Sequence, residues 1–95
     1  MSDIRIARAH RLPLSRAKAA AQAAADEMAR LYQVTSEWQG DSLHFRRGSL
    51  TGRIDVSPSQ VAMEIRLGFL LRAFRRSIEE KVGERLDAVL AEGRG

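Results

Sequence analysis

At 95 residues, with 44% hydrophobic and 29% charged side chains, the chain has room for one modest core and no more. It contains no cysteine, which excludes disulfides, thiolate catalysis and Cys-ligated zinc and leaves the core to carry stability alone. The formal net charge is only +4, carried mostly by arginine, so charge alone points to no nucleic-acid partner, and no apolar run approaches the roughly 18 residues of a membrane span.

The start, Met1-Ser2-Asp3-Ile4-Arg5, has no apolar stretch behind a basic one, so a cytoplasmic location is expected. Residues 3–10 alternate as a short strand, with Ile4 and Ile6 on one side, Arg8 and His10 continuing that parity, and Pro13 closing it. Over 15–33 the period lengthens: Ala17, Ala20 or Ala21, Ala24, Met28 and Leu31 recur every three or four residues, with Ser15 expected as the N-cap. Alanine favours the helix while adding little bulk, so this helix is expected to lie close to its support.

From residue 35 to 67 the period returns to two. Trp38 precedes the turn pair Gly40-Asp41, Leu43 and Phe45 follow in alternation, and Gly48-Ser49 makes a second turn. Leu50, Gly52, Ile54 and Val56 form the next inward set, Ser57-Pro58-Ser59-Gln60 fits a type I turn, and Val61, Met63, Ile65 and Leu67 complete a meander. Gly68 then breaks the strand. Residues 69–91 read as a long helix with Leu71, Phe74, Ile78, Val82, Leu86 and Val89 on one stripe. Gly83 within it costs about 1 kcal/mol against alanine.

The predicted order is β-α-β-β-β-β-α in one domain over 1–95, an α+β fold with a mainly antiparallel sheet of five strands. Strand order 2-3-4-5-1 is favoured, with strand 1 beside strand 2 as the alternative. Both helices should cover the single apolar face, in a helix-grip-like arrangement.

Site chemistry is sparse. His10 and His44 fall on opposite faces by parity, which argues against a shared metal, since zinc needs three or four converging ligands. No G-x-S-x-G elbow occurs, the adjacent carboxylates Asp26-Glu27 and Glu79-Glu80 lie on helices, and no glycines gather into a phosphate loop. No catalytic residue, metal ligand or cofactor is assigned, and an enzyme is not expected.

Two surfaces stand out instead. Alternation places Arg5, His44, Arg46, Arg53 and Arg66 on the outward sheet face, with Asp3, Thr51, Asp55 and Glu64 among them. A solvated face laced with cross-strand ion pairs explains this without a partner; the functional alternative is a docking surface for a protein or a second copy of the chain. The second is Arg72, Arg75 and Arg76 at the start of the last helix, where the helix dipole would favour acids. Pairing of Arg75 with Glu79, and of Arg76 with Glu79 or Glu80, is the structural explanation; contact with an anionic or amphipathic surface, aided by Phe69 and Leu70, is the functional one. Trp38 is expected in the core at the sheet edge.

The first strand running into His10-Arg11-Leu12, the segment Trp38-x-Gly40-Asp41-x-Leu43-x-Phe45, Gly52, and Leu67-Gly68-Phe69-Leu70-Leu71 together resemble the bacterial polyhydroxyalkanoic acid system family, over nearly the whole chain. The resemblance implies a non-enzymatic accessory protein of polyhydroxyalkanoate storage, associated with granules through a protein partner or the granule surface. It carries over no catalytic residues. Two other readings follow from the residues: a ligand pocket beneath the last helix lined by Phe45, Met63 and Phe74, and nucleic-acid binding by the arginine-bearing face. The second lacks a stacking aromatic on that face.

Overall fold

The structure is a computed structural model, and it describes residues 2–92. The elements run β1 (Ile4–Ala9), α1 (Leu14–Tyr32), β2 (Thr35–Gln39), β3 (Ser42–Arg47), β4 (Leu50–Val56) and β5 (Gln60–Arg66). A short 3-10 helix (Leu71–Phe74) then leads into α2 (Arg75–Glu92). All strand pairs are antiparallel and the sheet order is β1-β5-β4-β3-β2. This is the favoured order 2-3-4-5-1, with β1 beside the last strand.

Both hairpin turns predicted from glycine pairs form. Gly40 and Gly48 take φ values of +63° and +56°, a region that L side chains rarely adopt. Period-two alternation then sorts the strands into two faces. Ile4, Ile6, Leu43, Phe45, Leu50, Ile54, Val56, Val61, Met63 and Ile65 point to one side and are buried, beneath α1 over β2 to β4 and α2 over β1. The buried face of α1 is nearly all alanine (Ala17, Ala20, Ala21, Ala24, Ala25) with Met28, which lets the helix approach closely. Trp38 is half-buried on that layer; its indole N–H donates to Gln22 Oε1 at 2.8 Å and Lys18 lies over its ring.

Several boundaries differ from those read in the sequence. Helix α1 begins at Leu14, and the Pro13 carbonyl accepts from the Arg16 and Ala17 N–H groups; Ser15 sits inside the first turn and makes no side-chain cap. Leu31, expected on the buried stripe, is half exposed because it lies at the end of α1, next to the turn at Gln33. The last helix starts at Arg75 rather than 69. Between Leu71 and Phe74 the backbone winds as a 3-10 helix, with the Gly68 carbonyl accepting from both Leu71 and Arg72 N–H. A 3-10 turn advances about 120° per residue instead of about 100°, so the stripe is rotated there. Ile78, Val82 and Leu86 are buried as the period requires, but Phe74 is 60% exposed, and at the far end Leu90 is buried where Val89 was expected, Val89 being only half-buried.

Arg8 keeps the parity of Ile4 and Ile6, and its guanidinium reaches α2, where Nε lies 2.7 Å from Asp87 Oδ1. This ties the edge strand to the helix above it.

Candidate contact surfaces

On the uncovered face, strand register aligns five side chains in one row across the whole sheet: Arg5, Glu64, Arg53, His44 and Glu37. Glu64 is the hinge of this row. Arg5 stands 3.6 Å from one of its oxygens and Arg53 3.3 Å from the other, while Arg53 also meets Asp55 at 3.0 Å. Such half-exposed pairs each contribute a few tenths of a kcal/mol, roughly.

The next row toward the sheet's other end reads Arg66, Thr51, Arg46, Thr35. Among the described residues neither Arg46 nor Arg66 has a carboxylate partner. Two shallow polar depressions, of about 430 and 490 Å³, meet at His44, Thr51 and Gly52 between these rows. The structure therefore brings Arg5, His44, Arg46, Arg53 and Arg66 onto one face. Asp3 departs from it: its carboxylate turns to the strand end, where it accepts from Leu67 N–H at 2.7 Å and faces Arg72 Nε at 3.5 Å.

The second surface lies where the chain leaves the sheet. Phe69, Leu70 and Phe74 are 85%, 79% and 60% exposed, and as three apolar side chains in one short segment they make an apolar corner of the chain. Arg72, Arg75 and Arg76 belong to the same segment and, with Asp3 and Phe74, border an open hollow of about 600 Å³. The pairing expected between Arg75 or Arg76 and Glu79 or Glu80 does not form; among the described residues the two arginines have no ionic partner. The first turn of α2 holds no acidic residue, so its positive end faces further positive charge. Phe74 belongs to this corner, which the helical spacing missed; the clue was Arg75-Arg76 directly after it.

The histidines are separated as parity implied. His44 stands in the open-face row, whereas His10 is buried: its Nε2–H donates to the Ser57 carbonyl at 2.8 Å and its Nδ1 accepts from Leu12 N–H at 3.0 Å. Both ring nitrogens are thereby used to close the strand end. Among the described residues no three His, Cys, Asp or Glu side chains converge as a metal site would require.

Among the described residues, those expected to line a ligand pocket beneath the last helix do not converge on one. Phe45 and Met63 are buried in the packed core, Phe74 lies outside it, and the hollow between α1 and α2 measures about 10 Å³, too small for a ligand. No helix of the described residues is long and apolar enough to cross a membrane.

The fold and surfaces define a helix-backed antiparallel sheet with a polar open face and one apolar, arginine-rich corner. The chain belongs to the family described as "Putative polyhydroxyalkanoic acid system protein", whose model matches residues 4–90. No curated protein and no solved structure matches it.

Proposed function

We propose that this protein is a non-enzymatic accessory component of polyhydroxyalkanoate storage that acts by contact, binding the granule surface or a protein seated on it. The family supports the storage context. The observation that carries the contact is the corner of Phe69, Leu70 and Phe74, three large apolar side chains held in water beside Arg75 and Arg76, which have no ionic partner among the described residues. Large exposed apolar groups gathered in one place mark interaction sites far more often than scattered ones do.

The test is fractionation of cells with and without polymer granules. The protein should enter the granule fraction only when polymer is present, and a Phe69→Ser, Leu70→Ser, Phe74→Ser variant should stay in the supernatant. Wholly soluble protein in both conditions, with no granule protein attached, sinks the proposal.

A second reading places a protein partner on the open sheet face. Arg46 and Arg66, which flank Thr51 and have no carboxylate partner among the described residues, favour an acidic partner there. Loss of granule association in an Arg46→Gln, Arg66→Gln variant, with the corner intact, would select this reading over the first.

A further inference from the structure

We infer that the corner formed by residues 69–76 is a lipid-interface anchor: Phe69, Leu70 and Phe74 enter the acyl region of an anionic lipid layer, while Arg75 and Arg76 hold its phosphate groups. This rests on the proposal that the corner is the contact, and it names the chemistry of the surface contacted.

Shape is the first argument. Side chains exposed by 85% and 79% touch almost nothing of their own chain, so Phe69 and Leu70 protrude rather than line a groove. Protein interfaces seat their anchors in complementary pockets, whereas a deformable lipid layer accepts protruding apolar groups without one. Leu70 also cannot stack on a base, which sets the corner apart from a nucleic-acid platform.

Charge is the second. Arg75 and Arg76 have no carboxylate partner among the described residues, and they sit at the end of α2 where the dipole is already positive. Within the folded chain this placement is unfavourable on both counts. An anionic layer reverses both, because its phosphates would meet the arginines at the positive end of the helix. The open hollow of about 600 Å³ between Arg72, Phe74, Arg75 and Asp3 offers a headgroup space beside the apolar tip.

Arg72 behaves differently from its neighbours. Its Nε is held 3.5 Å from Asp3 Oδ1, so its charge is partly neutralised within the chain. Asp3→Asn frees that guanidinium, and the amide oxygen can still accept from Leu67 N–H. The variant should therefore bind an anionic layer more tightly than the natural chain. A lipid anchor makes this prediction; an apolar contact with polyester does not.

Flotation of the full chain with vesicles tests the inference. Binding is expected to phosphatidylcholine vesicles containing phosphatidylglycerol, and little to phosphatidylcholine alone. Arg75→Gln, Arg76→Gln should weaken it roughly thirtyfold, from about 1 kcal/mol per basic residue near an anionic surface. The Phe69→Ser, Leu70→Ser, Phe74→Ser variant should lose it with an unchanged far-ultraviolet circular dichroism spectrum. No binding of folded protein to anionic vesicles, or equal binding by the double arginine variant, overturns the inference. Granule association in cells without vesicle binding would do the same while leaving the proposed function intact. Vesicle binding by a protein that never enters the granule fraction would uphold the anchor and remove the storage role.

Discussion

The ring of Phe45 fills the space that a side chain on Gly52 would need. The two residues face each other across β3 and β4, and a Cβ on Gly52 would stand 2.3 Å from Phe45 Cζ and 2.8 Å from the Glu64 carbonyl oxygen. Phe45 is itself buried, so the ring cannot swing into solvent without exposing the centre of the sheet. Gly52→Ala should therefore lower stability by about 1–3 kcal/mol through overpacking. Urea denaturation reads this directly, and a loss below about 0.5 kcal/mol would show that the ring repacks freely.

Gly83 predicts the opposite sign. It lies inside α2, and a Cβ there would meet Arg8 Nη2 at 3.6 Å and Ile6 Cδ1 at 3.9 Å, both ordinary contacts. Gly83→Ala should raise stability by about 0.5–1 kcal/mol, by improving helix propensity and restricting the unfolded chain. A lower melting temperature for this variant would mean that α2 must stand off β1 more than the contacts indicate.

His10 should hold one tautomer. A carbonyl can only accept, so Ser57 requires the proton on Nε2, and the Leu12 N–H requires a bare Nδ1. Long-range ¹⁵N–¹H correlation spectra should show the Nε2–H form. His10→Ala leaves both backbone groups without their partner and should cost about 1–3 kcal/mol. An Nδ1–H spectrum would contradict the arrangement.

Tyr32 supplies a pH prediction. Burial pushes its phenol above the ordinary value of 10.0, because the charged form loses solvation. The folded state thus favours the neutral phenol, a contribution complete below pH 10.0 and lost as pH rises through the folded-state value. As the chain's single tyrosine, it can be titrated by ultraviolet absorbance, and its midpoint should be higher in native protein than in urea.

Phe74 and Ile78 form a matched pair four residues apart with opposite expectations. Ile78 is buried, and Ile78→Ala should cost about 2–4 kcal/mol. Phe74 is exposed, and Phe74→Ser should change stability by less than about 0.5 kcal/mol. Equal losses would place Phe74 back on the buried stripe.

The two residues also mark where local pattern stops being informative. The alternation from Thr35 to Leu67 and the turn pairs Gly40-Asp41 and Gly48-Ser49 declared the meander, because side-chain direction in a strand has a period of two wherever the strand lies. The same alternation put Arg5, His44, Arg46, Arg53 and Arg66 on one face, and the sheet kept them there. It could not say which charges neutralise one another. Register decided that Glu64 serves both Arg5 and Arg53, leaving Arg46 and Arg66 beside a threonine.

Composition and period by themselves determined one small cysteine-free α+β chain with a covered and an uncovered sheet face. Tertiary structure decided what each helical stripe meets. Phe74 carries the spacing of a core residue, but the chain there winds as a 3-10 helix, so the side chain faces water. His10 carries the parity of a strand residue but seals a loop through Ser57 and Leu12. Periodicity belongs to the element alone, whereas burial requires a second surface at the right place, and only the folded chain supplies or withholds it.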